Sequence, residues 1–131
     1  MDGDGDLDLF VGMGLVPGHY GQTTQSFILE NDGKGRFTPA INKHQGLTKV
    51  RSVNDAAWAD MDGDGDPDLV MCAEWEPVRV ILNEKGRLAT ILNAPGLANT
   101  EGWWNCLLLD DLNGDGNMDI VAGNHGLNSR F

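Results

Sequence analysis

Apolar residues fall in short runs separated by polar, glycine-rich stretches. Leu7 to Val11, Leu69 to Met71 and Ile120 to Ala122 each follow an acidic stretch. Phe27-Ile28-Leu29 and Val80-Ile81-Leu82 each precede a glycine turn. Val, Ile and Leu cluster in these runs without the three-to-four spacing of a helix, so the pattern predicts strands. The turns Asp32-Gly33-Lys34-Gly35 and Glu84-Lys85-Gly86 between apolar runs predict hairpins. The order repeats: Gly5 to Gly35, Gly35 to Gly65 and Gly86 to Gly116 are each 30 residues, while Gly65 to Gly86 is 21. The first unit therefore carries nine extra residues in the connection after its first apolar run. Each unit reads as four short strands: one enters the acidic loop, one leaves it, and two flank the glycine turn. Four antiparallel strands in a repeat of roughly 50 to 60 residues make the unit of a β-propeller blade. The expected fold class is all-β, an incomplete ring of one full blade (54–102) and parts of two others (1–53 and 103–131).

The acidic loops carry the chemistry. The second loop places Asp60, Asp62, Asp64 and Asp68 at positions one, three, five and nine, and the third places Asp111, Asn113, Asp115 and Asp119 there. Position seven, Asp66 or Asn117, is suited to donate its backbone carbonyl, and position six is Gly5, Gly65 or Gly116. The first loop keeps Asp2, Asp4, Asp6 and Asp8 but has no position one, so weak binding or none is expected of it. A hard dication takes six to eight oxygens in an irregular cage, which alternate oxygen donors on a curled backbone supply. The loops contain neither His nor Cys, which turns the choice to calcium over zinc or copper. Magnesium prefers a smaller octahedral site and keeps its waters. An EF-hand would need a Glu at position twelve, where Met71 and Ala122 stand. All the oxygens come from one local segment, so the cation would staple a hairpin rather than do catalysis.

These loops, the Asn31-Asp32-Gly33-Lys34-Gly35-Arg36-Phe37 hairpin, and Gly46-Leu47 with Gly96-Leu97 ahead of each complete loop resemble FG-GAP/VCBS-type repeats, as in integrin α-chain propellers and many bacterial surface proteins. Gly123-Asn124-His125-Gly126-Leu127-Asn128 has the same character. The resemblance covers nearly the whole chain. Such families close a ring of about seven blades, so a chain that starts inside a metal loop reads as a fragment. The resemblance implies that a protein or glycan partner binds the face opposite the calcium loops. That face would carry the connection 12–25 with His19 and Tyr20, Trp75 with Glu76, and the segments 43–51 and 99–103. Trp75 and Tyr20 are the expected ligand-binding aromatics; Trp58 is expected to pack between blades.

Composition narrows the remaining choices. The net charge of -11 comes mostly from the metal loops and argues against nucleic acid, which needs a basic footprint. No run is long enough to span a membrane as a helix. The complete loops are expected to bind calcium in about the micromolar to millimolar range, which suits an extracellular, periplasmic or cell-surface setting. Cys72 and Cys106 are expected to be buried free thiols. His19, His44 and His125 are expected to sit in separate loops, solvated. The leading expectation is a non-enzymatic calcium-binding module for adhesion or glycan or protein binding. The alternative is the propeller portion of a calcium-dependent carbohydrate-active enzyme such as a polysaccharide lyase. Open strand edges also predict that the chain alone either associates edge to edge or is only marginally stable.

Overall fold

The apolar run after the second acidic loop becomes the central strand of the molecule, buried on both faces. In the computed structural model, which describes residues 1–23 and 25–126, this strand spans Asp68–Glu76. In chain order the strands are β1 (Leu9–Val11), β2 (Leu15–Val16), β3 (His19–Thr23), β4 (Phe27–Asn31), β5 (Phe37–Pro39), β6 (Val53–Ala59), β7 (Asp68–Glu76), β8 (Arg79–Asn83), β9 (Leu88–Ile91), β10 (Gly102–Asp110) and β11 (Asp119–Asn124). The helical content among the described residues is one 3-10 turn, Gln45–Lys49.

β6, β7, β8 and β9 form one antiparallel sheet in chain order. β1, β4 and β5 form a second, and β2 with β3 makes a separate hairpin inside the β1-to-β4 connection. That hairpin is where the nine extra residues of the first unit lie. β10 and β11 form an antiparallel ribbon that joins β7 through Gly102 opposite Glu76 and Trp103 opposite Glu74. The fold is thus all-β and unclosed, with one complete four-stranded blade between parts of two others. The glycine turns connect β4 to β5 and β8 to β9, as their sequence predicts.

Period-two alternation along β7 divides its side chains between two cores. Leu69 and Met71 pack with Ile28, Leu47, Val50, Ile81 and Leu88 on the side of the first sheet, with Phe10 and Trp58 against them. Val70 and Cys72 pack with Val78 and Val80 on the other side, against Trp104, Leu107, Leu109 and Ile120 of the last ribbon. Full burial of each such side chain contributes about 1.5–3 kcal/mol, so the blades are held face to face mainly by these two layers. Trp58 lies in the inter-blade packing, as expected.

Gly46 sits where no side chain fits: a Cβ there would lie 2.6 Å from Ile81 Cγ2 and 3.0 Å from the Leu88 carbonyl oxygen. This close approach lets the 3-10 turn drop Leu47 into the first core.

Three expectations need correction. His44 is not a solvated loop residue; it is 1% exposed and precedes the 3-10 turn, where its Nδ1 accepts the Leu88 N–H at 3.3 Å. His19 lies on a strand, β3. Both thiols are free, but Cys106 is exposed, because β10 turns that face away from β7 and nothing among the described residues covers it.

Candidate metal centre

Each acidic loop is a tight curl held by its own carboxylates. In the second loop, Asp60 accepts the N–H of Gly63 at 2.8 Å on Oδ1 and that of Gly65 at 3.0 Å on Oδ2. Asp62 accepts the Asp64 N–H at 3.2 Å, and Asp64 accepts the Asp66 N–H at 2.8 Å. The third loop repeats this: Asp111 accepts Gly114 at 2.7 Å and Gly116 at 2.8 Å, Asn113 accepts Asp115 at 2.8 Å, and Asp115 accepts Asn117 at 2.8 Å. Gly65 and Gly116 lie at φ 93° and 88°, a region that a side chain disfavours. In the second loop the curl brings the Asp60 and Asp62 carboxylates together with that of Asp68.

The ninth position closes the curl. Asp68 is fully buried; its Oδ2 accepts the Met61 N–H at 2.8 Å and its Oδ1 the Asn83 N–H at 2.7 Å. Asp119 accepts the Leu112 N–H at 3.0 Å, and Asp8 accepts the nitrogen of Met1 at 2.6 Å. Burial raises the Asp68 carboxyl above the usual range, against the pull of the Asn83 and Met61 N–H groups. The Asp111 carboxyl is lowered, foremost by the Gly116 N–H, and that of Asp115 by the backbone and side chain of Asn117.

Ligand oxygens of Asp60, Asp62 and Asp68 lie within 4.8 Å of one another. Two oxygens that share one calcium at 2.3–2.6 Å stand at most about 5 Å apart. The three carboxylates therefore suit a single calcium ion, and a donor set made only of oxygen matches its hardness. Among the described residues, Asp64 is not part of this grouping; its Oδ1 is turned to the Asp66 N–H. Asp66 directs Oδ2 to the Lys85 N–H at 3.2 Å, tying the loop to the β8–β9 turn, so its side chain is engaged away from the curl. In the first loop, Asp2 and Asp4 accept the N–H groups of Asp4 and Asp6 at 3.3 and 3.2 Å, the same curl without a first position.

Sequence reasoning passed over two residues that hold the loops in place. Asn83 donates its side-chain amide to the carbonyls of Pro67 at 3.1 Å and Met1 at 3.0 Å, and accepts the Gly86 N–H at 2.8 Å. Asn31 does the same one unit earlier: its amide donates to the Leu7 carbonyl at 3.3 Å and accepts the Gly35 N–H at 3.2 Å. The signal was present, since an Asn stands immediately before both glycine turns.

Of the two aromatics expected to bind a ligand, Trp75 lies at the C-terminal end of β7, remote from the loops, and is 63% exposed. Tyr20 falls on β3, and its side chain lies outside the described residues. Leu127 and Asn128 lie outside them as well.

Comparison with known families agrees with the internal repeat. The family model described as the FG-GAP-like repeat matches residues 1–71 and again 60–122. Each match runs from one acidic loop to the next, so the second loop is shared by both. A search of curated proteins and a search of solved structures return no match.

Proposed function

The chain belongs to the FG-GAP-like repeat family, and on that premise we propose that it is a calcium-stabilised, non-enzymatic repeat module of a cell-surface or secreted protein. The observation that carries this reading is the convergence of Asp60, Asp62 and Asp68 oxygens within 4.8 Å on a backbone already curled around them. When bound, calcium would supply positive charge to a cluster whose like charges otherwise repel. Asp60, Asp62 and Asp68, with Asp64 after a rotation, would hold it in the second loop; Asp111, Asn113, Asp115 and Asp119 would hold it in the third. The carboxylates are also committed to backbone N–H groups of their own loops. That is the arrangement of a staple rather than of a group presented to a substrate.

The module would bind a protein or glycan partner at the end of the sheets opposite the loops, where Trp75 stands exposed. Leu108 is 58% and Val121 44% exposed, and Val121 corresponds by repeat to Val70, which is fully buried between blades. That face is suited to stack against a further repeat or a second copy, and sedimentation of the isolated chain measures the second.

Thermal melts of the full chain in millimolar calcium and in chelator test the calcium reading. A site filled to 100 times its Kd adds about 2.7 kcal/mol, so calcium should raise Tm by about 5 °C or more. Superimposable melts would overturn it.

A further inference from the structure

β7 and β10 meet, at the end remote from the metal loops, in a row of aromatic rings. The Trp75 and Trp103 indoles lie 5.6 Å apart with planes tilted by 40°, and Trp103 stacks on the His125 imidazole at 4.9 Å and 23°. Strand register explains how Trp75 gets there. Gly102 stands opposite Glu76 and Trp103 opposite Glu74, so Trp75 is the extra residue of a β-bulge. Its φ is 60°, in the left-handed region, where a bulky side chain is strained. Bulges re-aim side chains; this one turns a large apolar ring outward. Glycine would hold the same bulge without strain. The bulge thus leaves the indole, propped on Trp103, with most of its surface open to a ligand.

The neighbouring groups fix the row. A second bulge places Asn105 between the Trp104–Asn124 and Cys106–Gly123 pairs. The Asn105 amide donates to the Trp103 carbonyl at 3.3 Å and lies 3.3 Å from His125 Nδ1. The His125 N–H donates to the same carbonyl at 3.0 Å. Next to Trp75 in the chain, the Glu76 carboxylate is held by Arg79 at 2.5 Å. The result is an apolar plate with polar groups beside it.

We propose that Trp75, supported by Trp103, His125 and Asn105, is a binding platform for a neutral pyranose at the end of a glycan. This rests on the reading that the end remote from the loops is the binding end. A pyranose offers one face of C–H groups to an indole while its ring hydroxyls reach polar neighbours, and an open flat plate with a polar margin has that form. Glu74 and Glu76, on either side of Trp75 in the chain, disfavour sulfated and uronic glycans. A cationic group gains most when rings surround and desolvate it. Among the described residues, His125 takes one side of Trp103 and Trp75 is 63% exposed, which makes a plate rather than a cage. A contact this small supports affinity of about millimolar, which repeats in tandem would raise by avidity.

The test is indole N–H resonance shifts of the calcium-saturated full chain on titration with lactose, cellotetraose and N-acetylchitotriose. At least one should shift the Trp75 and Trp103 signals with saturable millimolar binding. Trp75→Gly should weaken that binding at least tenfold while leaving Tm unchanged or higher, because the bulge strain is released. Silence with all three sugars overturns the proposal. So does unchanged affinity in Trp75→Gly, or a Tm lowered by several degrees, which would make the indole a fold contact. A lysine-rich peptide that shifts the indoles where the sugars do not also overturns it. The Gly65 and Gly116 amide signals report the loops in the same samples, so failure of calcium binding and failure of the platform are read separately.

Discussion

The backbone N–H of Asn83 donates to Oδ1 of Asp68 at 2.7 Å, joining the end of β8 to the end of the second acidic loop. Asn31 and Asp8 repeat the bond at 3.0 Å one unit earlier. The ninth carboxylate of each of these loops is therefore a clamp between loop and outer hairpin as well as a candidate ligand. The two roles are separable by mutation.

Asp68→Asn replaces one acceptor oxygen with an N–H donor that faces the N–H of Met61 or Asn83. Leaving a buried donor unpaired costs about 1–3 kcal/mol; this loss should already appear in chelator, and the lost ligand should add to it in calcium. Asp64→Ala removes an oxygen that accepts the exposed backbone N–H of Asp66. Its Tm should fall in calcium and barely move in chelator. Paired thermal melts of both variants distinguish clamp from ligand; an equal loss for Asp64→Ala in both buffers contradicts ligation.

Gly46→Ala puts a methyl group 2.6 Å from Ile81 Cγ2 and 3.0 Å from a backbone oxygen. The side-chain tip can yield but the carbonyl cannot easily, so overpacking should cost about 1–3 kcal/mol. Chemical denaturation should show this as a lower midpoint with an unchanged slope.

His44 gives the chain an acid-sensitive core. Burial first, and the neighbouring Lys43 charge second, hold its imidazole below the ordinary value of 6.5. Below pH about 6.5 the unfolded chain takes up a proton that the folded chain resists, so stability falls as pH drops through that value towards the depressed folded one. Denaturation in chelator from pH 7.5 to 5 should show this slope, and His44→Gln should flatten it. A slope unchanged by the substitution contradicts a buried neutral ring.

The two thiols should differ in reactivity. Burial, and secondarily the Asp55 charge, pushes the Cys72 thiol up to about 11, whereas Cys106 is exposed. Iodoacetamide on the native chain should label Cys106 first, with Cys72 reacting only on unfolding. Mass spectrometry of the labelled peptides decides it, and equal labelling of the native chain contradicts the burial of β7.

Strand order and loop positions were legible because each depends on local chemistry: Asp-Gly alternation, glycine turns and short apolar runs. The burial of β7 on both faces was legible in the same way, since Leu69 to Cys72 is apolar without alternation. What local pattern could not carry was long-range. Leu47 is pulled into the first core by the close approach at Gly46, and His44 goes with it to meet Leu88, 44 residues away. The exposure of Cys106 depends on which face of β10 has a neighbour. The Trp75 bulge arises from a register shift against β10, which no spacing within β7 encodes. Within the loops, alternation identified the donors but not that Asp66 would turn to Lys85.

The most direct measurement of the central claim is a calorimetric calcium titration of the chelator-stripped chain, set beside an Asp62→Ala, Asp115→Ala double variant. Saturable binding close to two ions per chain, between micromolar and millimolar Kd, and lost in the variant, is the expected result. A wild-type titration without heat, together with Gly65 and Gly116 amide signals that calcium does not move, would contradict it.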